Sequence, residues 1–130
     1  MRVDKLMISI RSLVAVVDDD QSVRESLPDL LNEFGFAART YASAEDFLSS
    51  GALSETSCLI LDVVMPGMSG PELQRELEVR GYQIPFVFMT AFRDETVRAR
   101  LLELGAADCL LKPFSDTSLL KSLSAALQLS

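Results

Sequence analysis

Apolar runs alternate with helical apolar patterns along most of the chain. Continuous apolar or β-branched runs bounded by turn residues are typical of strands buried on both faces of a parallel sheet. The chain has such runs, together with a more polar second segment. They predict strands at 13–17, 36–41, 58–61, 85–90 and 107–111. Each run is followed by apolar residues three or four positions apart, which is the spacing of one helix face.

Residues that begin and end helices support this reading. Ser, Thr, Asp and Asn are favoured at helix N-caps, proline at the first helical position and glycine just after the end. The predicted N-caps are Asp20, Ser43, Asp94 and Ser115, with Pro71 opening the third helix and Gly35 and Gly105 ending the first and fourth. The predicted apolar faces include Leu104 on the fourth helix and Leu120 on the fifth.

Strict alternation of strands and helices predicts an α/β fold. We expect a doubly wound five-stranded parallel sheet flanked by five helices, with the crossovers right-handed. The organisation predicted is one domain over residues 12–130, preceded by a short N-terminal leader over residues 1–11. In such sheets, function lies at the carboxyl ends of the strands, near the point where the strand order reverses.

Composition excludes several kinds of chemistry. The 130 residues contain no histidine, and 12 Lys and Arg against 19 Asp and Glu give a net charge of −7. Without histidine there is no Ser-His-Asp or Cys-His catalysis and no His-ligated zinc. Nucleic-acid affinity depends on basic side chains that displace counterions. An acidic domain is therefore not expected to bind DNA or RNA directly.

The cysteines and the apolar content bear on the compartment. Cys58 and Cys109 are far apart in apolar surroundings, so both are expected to pack as small hydrophobic residues rather than to form a disulfide framework. No segment has the roughly 18 continuous apolar residues of a membrane span, and the start of the chain lacks the pattern of a signal peptide. We therefore expect a cytoplasmic protein.

Polar residues follow four of the five predicted strands. Asp18 and Asp19 follow the first strand and Asp62 follows the third, while Thr90 ends the fourth and Lys112 follows the fifth. The predicted fold brings these side chains to one edge of the sheet. Two like charges ~4 Å apart repel by about 4 kcal/mol at an effective dielectric of 20. We therefore expect a bound cation to stabilise this group of carboxylates.

The residue types at this edge fit phosphoryl transfer. Oxygen ligands without His or Cys suit Mg²⁺, and a metal beside a carboxylate neutralises phosphate oxygens. A carboxylate can itself be the nucleophile and form an aspartyl phosphate. Lys112 then supplies a cation for the phosphoryl oxygens and Thr90 a hydroxyl donor.

These residues lie in motifs that resemble those of bacterial two-component response-regulator receiver domains. The matching segments are VVDDDQSVRESL (16–27), LILDVVMPGMSG (59–70), FMTA (88–91) and DCLLKPF (108–114). The resemblance covers nearly everything after residue 11. The segments SVRESL, YASAEDFL and MPGMSG are most similar to those of the FixJ-type subfamily. It implies the flavodoxin-like receiver fold.

The resemblance implies a role for each reactive side chain. Asp62 is expected to be the phosphoacceptor, Thr90 the switch hydroxyl and Lys112 the residue that binds the phosphoryl group. The bond between Lys112 and Pro113 is often cis in this family, which would help to aim the lysine.

The resemblance also implies a Mg²⁺ site. Its ligands would be Asp18 and Asp19, Asp62 and the backbone carbonyl of Val64, with Asp19 the more direct member of the acidic pair. Asp20 is expected to cap a helix rather than to bind metal.

One residue departs from the family pattern, and two others bear on how long the phosphorylated form lasts. Receivers usually carry Tyr or Phe at the position of Cys109, so the aromatic side chain that moves with the switch hydroxyl is missing here, and Phe92 is a candidate for supplying that bulk. In this family the positions of Val64 and Phe92 flank the attacking water during dephosphorylation, and here both residues are apolar. We therefore expect a long-lived aspartyl phosphate.

The expected function is signalling rather than enzymatic turnover. A sensor histidine kinase or a phosphotransfer domain would donate a phosphoryl group to Asp62, and the added charge of about −1.5 to −2 would switch the surface of the fourth helix, fifth strand and fifth helix. A homodimer through that surface is one candidate output. The alternatives are a small Mg²⁺-dependent aspartyl-phosphate phosphatase and a flavodoxin-like flavin-binding module.

Overall fold

The structure is a computed structural model that describes residues 12–128, so the predicted leader over residues 1–11 lies outside the described residues. Strands and helices alternate within the described part. In chain order they are β1 (Leu13–Val17), α1 (Gln21–Glu33), β2 (Ala37–Tyr41), α2 (Ala44–Leu48), β3 (Cys58–Asp62), α3 (Gly70–Val79), β4 (Phe86–Thr90), α4 (Glu95–Glu103), β5 (Asp108–Leu111) and α5 (Asp116–Leu127). A short 3₁₀ helix, Leu53–Glu55, precedes β3. Between residues 12 and 128, no helix has the length and apolar content needed to cross a membrane.

The five strands form one parallel sheet in the order β2-β1-β3-β4-β5. This confirms the predicted fold class, and every predicted strand is found with bounds that differ by at most one residue. The chain moves outward in one direction from β1 to β2 and in the other from β3 to β5. The order therefore reverses between β1 and β3, and this is where ligands bind in open α/β sheets.

The sheet separates two apolar cores, because successive strand side chains point to opposite faces. One core packs alternate residues of the strands, such as Val17, Leu61 and Phe88, against α2, α3 and α4. The other packs the intervening residues, such as Val16 and Ile60, against α1 and α5. β1, β3 and β4 are thus covered on both faces, and only their carboxyl ends are left to carry polar chemistry.

The helices begin where the sequence predicts. The side chains of Asp20, Ser43, Asp94 and Ser115 each accept a hydrogen bond from a backbone N–H in the first turn of the following helix. α3 begins one residue earlier than expected, at Gly70, because Ser69 and Glu72 form a reciprocal capping box.

Two predicted core positions are wrong. Leu104 is 45% exposed, because α4 ends at Glu103 and the chain turns away at this residue. Leu120 is 39% exposed, and the fully buried position two residues later is a serine, Ser122. The buried Ser122 hydroxyl donates a hydrogen bond to the Asp108 carboxylate, 2.5 Å away, so its polar group has a partner within the fold.

Candidate functional site

The residues predicted for the site lie together at the carboxyl edge of the sheet. Asp18 and Asp19 follow β1, and Asp62 is the last residue of β3. Thr90 is the last residue of β4, and Lys112 comes directly after β5. Because all five strands are parallel and in register, these ends meet although the residues are far apart in sequence.

Three carboxylates form the centre of the site. One oxygen from each of Asp18, Asp19 and Asp62 lies within 4.8 Å of the others. Asp18 is fully buried and Asp62 is 9% exposed, whereas Asp19 faces solvent. Each of the three therefore has a different hydration, and the cluster is open to water from the side of Asp19.

Lys112 provides the positive charge beside this cluster. Its Nζ lies 2.8 Å from Asp18 Oδ2 and 3.4 Å from Asp62 Oδ1. One cation therefore contacts the two buried carboxylates, and net negative charge remains at the site. The peptide bond between Lys112 and Pro113 is cis.

Burial and charge shift the protonation of these groups. Burial, with the neighbouring Asp18 carboxylate, raises the pKa of Asp62 to about 7, although Lys112 acts in the opposite direction. For Lys112, burial acts to lower the pKa, but its contacts with Asp18 and Asp62 outweigh burial and raise the pKa above the usual value. A divalent cation would stabilise the ionised carboxylates and so favour the form of Asp62 that can act as a nucleophile.

Hydrogen bonds to both the side chain and the backbone of Asp18 fix this residue next to α1. Asp18 Oδ1 accepts a bond of 2.9 Å from the N–H of Asp20, and the Asp18 carbonyl accepts a bond of 2.9 Å from Arg24 Nη1 on α1. Asp20 itself caps α1 through its bond to the N–H of Ser22, which confirms its predicted role as a cap. The contribution of Arg24 was not found from the sequence, because an arginine on an amphipathic helix gives no local signal of such a contact.

The segment after Asp62 is held close to the end of β3. The N–H of Gly70 donates to the carbonyl of Val63 at 3.0 Å. A Cβ at Gly70 would lie 2.4 Å from the Asp62 carbonyl oxygen, so α3 can begin this close to β3 only with glycine here. From α2, Glu45 Oε2 accepts a bond of 3.0 Å from the N–H of Met68. The segment that carries Val64 is therefore anchored from both sides.

Thr90 forms part of the wall beside Asp62. It is 3% exposed, and its Oγ1 accepts a hydrogen bond of 3.0 Å from the N–H of Phe92. A surface cavity of about 200 Å³ is lined by Asp62, Lys112, Thr90, Val64 and Phe92 together with Ala91. Val64 and Phe92, at its mouth, are residues that are 60% and 51% exposed.

The donor set of this site fits magnesium. Its side-chain ligands are carboxylate oxygens, and the site has an open, solvent-facing side at Asp19, where a hydrated cation can keep several of its waters. The buried negative charge that Lys112 does not balance gives a cation a reason to bind.

The chain belongs to the response-regulator receiver domain family, whose pattern matches residues 14–124. It is 42% identical over 118 residues to the transcriptional regulatory protein TdiR of Thauera aromatica, covering 91% of this chain and 52% of TdiR. It is 42% identical over 114 residues to the transcriptional regulatory protein FixJ of Azorhizobium caulinodans, covering 88% of this chain and 54% of FixJ. The predicted family and its FixJ-type character are confirmed, and the chain spans about half the length of these relatives.

Solved structures agree with this assignment. The response regulator StyR superposes with a TM-score of 0.82 at 44% identity, covering 92% of this chain and 60% of StyR. The structure described as FixJ-N superposes with a TM-score of 0.80 at 34% identity, covering 92% of this chain and 95% of that one. Receiver domains are signalling domains of two-component response regulators, which favours the receiver over the phosphatase and flavin-binding alternatives.

Proposed function

We propose that this chain is a receiver that accepts a phosphoryl group on Asp62 in a Mg²⁺-dependent reaction. The observation that carries the proposal is the cluster of Asp18, Asp19 and Asp62 with Lys112 against it at the carboxyl edge of the sheet. The proposed domain is residues 12–130. The proposed metal ligands are the three carboxylates and the backbone carbonyl of Val64.

The phosphoryl group is transferred from a phosphohistidine. Because the chain has no histidine of its own, that phosphohistidine belongs to the partner. A carboxylate oxygen of Asp62 forms a bond to phosphorus as the P–N bond breaks, and the electron pair of that bond stays on the imidazole of the donor. Bound Mg²⁺ supplies neutralisation of the phosphoryl oxygens. Lys112 Nζ, which already faces Asp62 at 3.4 Å, donates to a phosphoryl oxygen, and Thr90 offers its hydroxyl from the neighbouring strand end.

The donor is expected to dock beside α1. A surface groove of about 660 Å³ runs between α1 and the segment after β5, with an apolar floor that includes Leu27, Leu30 and Phe114. Asp29 and Glu33 of α1 also line it. This favours a partner helix that presents apolar residues flanked by basic ones, on a sensor histidine kinase or a phosphotransfer domain.

The output proposed is a change of the surface formed by α4, β5 and α5. Phosphorylation adds charge beside Thr90, and the two states of a switch differ in which surface they stabilise. The readout is a homodimer or a protein partner in the cytoplasm. Direct nucleic-acid binding by this acidic domain is not part of the proposal.

The phosphorylated form is expected to persist. Val64 and Phe92 line the mouth of the cavity beside Asp62 with apolar side chains, which offer no hydrogen bond to orient a water for attack on the aspartyl phosphate. In a purified dephosphorylation assay with Mg²⁺, the half-life should be minutes or longer. Loss of the phosphoryl group within seconds would contradict this reasoning.

A single assay tests the proposed function. The purified chain is incubated with acetyl phosphate and Mg²⁺ and analysed on a phosphate-affinity gel. We expect a shifted band that is absent in Asp62→Asn, absent without Mg²⁺, and retained in Glu78→Gln, which removes one exposed carboxylate from α3. An unshifted wild-type protein, or a shift retained in Asp62→Asn, would overturn the assignment. Rapid turnover of acetyl phosphate would favour a phosphatase instead.

A further inference from the structure

A side chain of α4 reaches around the outer edge of the sheet. Arg98 Nη1 donates to the carbonyl of Cys109 on β5, and Arg98 Nη2 lies 3.2 Å from Asp108 Oδ1. β5 is the last strand of the sheet, and Cys109 packs in the core on the α4 side. Arg98 therefore covers the edge of β5 at the point where Cys109 is buried.

The same contact includes α5. Asp108 Oδ1 also accepts from the N–H of Cys109 at 2.8 Å, and Asp108 Oδ2 accepts from the buried Ser122 hydroxyl of α5 at 2.5 Å. Both carboxylate oxygens of Asp108 are thus engaged. Arg98, Asp108 and Ser122 tie α4, β5 and α5 together, and we call these three residues the edge latch.

A second cavity separates the edge latch from the proposed phosphorylation site. It measures about 190 Å³ and is lined by Thr90, Phe92, Arg98, Cys109 and Leu111 together with residues at the start of α4. Thr90 and Phe92 line both this cavity and the one beside Asp62. They therefore form a wall that the two cavities share.

The shared wall links the two cavities physically. A displacement of Thr90 toward Asp62 would enlarge the space on the side of Cys109, and an unfilled enlargement of a cavity is unfavourable. The side chain of Cys109 is too short to follow. Arg98 also lines that space, and the long aliphatic stem of an arginine can pack along apolar surface while the charged group stays in water.

We propose that Arg98 is a two-position residue that couples Thr90 to the surface of α4, β5 and α5. In the structure described here it closes the edge latch. In the second position its stem fills the space that Thr90 vacates, its bonds to Cys109 and Asp108 are broken, and α4 is released from β5. This inference rests on the proposed function, because the displacement of Thr90 follows phosphorylation of Asp62.

Two substitutions distinguish the bonds that Arg98 makes in the edge latch from the packing of its aliphatic stem. Arg98→Met removes the bonds to Cys109 and Asp108 but keeps a long, flexible side chain, whereas Arg98→Ala removes both. Arg100, which is exposed on the same helix and forms no ion pair with any residue of 12–128, supplies the matched controls Arg100→Met and Arg100→Ala. Each control makes the same change in charge and helix propensity without touching the latch.

The first measurement is the initial rate of phosphorylation by acetyl phosphate with Mg²⁺. If the latch opposes the phosphorylated form, Arg98→Met should react about threefold faster than Arg100→Met, a factor that a partly exposed ion pair can supply. Arg98→Ala should lose this gain, because nothing fills the vacated space. A rate for Arg98→Met equal to or below that of Arg100→Met overturns the proposal.

The second measurement is amide hydrogen exchange over residues 95–103, which needs no phosphorylation to detect the latch. Exchange should be faster in unphosphorylated Arg98→Met than in Arg100→Met, and phosphorylation should raise it in the wild type. Equal exchange rates over residues 95–103 in the two unphosphorylated variants would show that the bonds of Arg98 do not hold α4 against β5. This conclusion would stand even if one variant were less stable overall. Failure of the proposed function looks different, since the wild type would then not be modified on Asp62 at all.

Discussion

Replacing Asp62 with asparagine should stabilise the metal-free protein near and above neutral pH. Burial and the Asp18 carboxylate raise the pKa of Asp62 to about 7 from its ordinary value of 3.8. Between these pH values the folded chain keeps a proton that the unfolded chain has released. The stabilising contribution of the group is therefore complete below about pH 4 and is lost as the pH rises through 7. Asparagine resembles the protonated acid and cannot ionise, so the variant escapes this loss.

The magnitude follows from the same values. A change of pKa from 3.8 to about 7 corresponds to about 4 kcal/mol in the free energy of unfolding, at 1.36 kcal/mol for each pKa unit. This is an upper limit, because the Asp62 side chain keeps 12% of its exposure and Lys112 lies 3.4 Å away, so water and local relaxation reduce the cost of the charge. We expect Asp62→Asn to gain about 1–3 kcal/mol at pH 8 and much less at pH 4.5.

Urea unfolding followed by far-ultraviolet circular dichroism in excess chelator measures this difference. For a domain of this size, such a gain moves the midpoint by roughly 1 M urea. Asp29→Asn, an exposed carboxylate in the middle of α1, is the matched control and should show a small difference that varies little with pH. A gain in Asp62→Asn that is the same at pH 4.5 and pH 8, or a destabilisation at pH 8, would refute the reasoning.

Three further outcomes follow from the site. Mg²⁺ at ten times its dissociation constant should raise the free energy of unfolding of the wild type by about 1.4 kcal/mol. A thermal melt should therefore show a higher midpoint with Mg²⁺, and Asp19→Asn should reduce this increase. Gly70→Ala should cost about 1–3 kcal/mol in urea unfolding, because the new Cβ would lie 2.4 Å from the Asp62 carbonyl oxygen; an unchanged midpoint would contradict the close approach. Glu45→Ala should weaken Mg²⁺ binding about fivefold by titration calorimetry, because the N–H of Met68 loses its acceptor, and equal affinities would show that Glu45 has no positioning role.

The architecture could be predicted because local patterns and the global fold agree. Buried parallel strands are nearly continuous apolar runs, and polar residues at their ends mark the edge where a site can form. Asp18, Asp62 and Lys112 are far apart in sequence, but each follows or ends a predicted strand, and their contacts in the structure join them at one edge of the sheet. Their roles in phosphoryl transfer stay predictions.

Contacts that depend on three-dimensional packing could not be predicted in the same way. Ser122 lies on the face of α5 that faces the core, and its burial depends on the Asp108 carboxylate beneath it. Arg98 was one of several charged residues on α4, and nothing local indicated that it bonds across the edge of β5. Leu104 fits the apolar spacing of α4 but falls just beyond its end. The positions of Ser122 and Arg98 are decided by partners from another element, and that of Leu104 by where α4 ends.

The contact of Arg98 with β5 also bears on solubility. An edge strand offers unpaired backbone groups to which the strand of another chain can add, and proteins protect such edges with short strands, charged side chains and proline. β5 is four residues long and is followed, after Lys112, by Pro113, and both backbone groups of Cys109 are occupied by side chains, its N–H by Asp108 and its carbonyl by Arg98. The outer edge of the sheet is therefore protected at Cys109, and we expect Arg98 to oppose aggregation by strand addition at this edge.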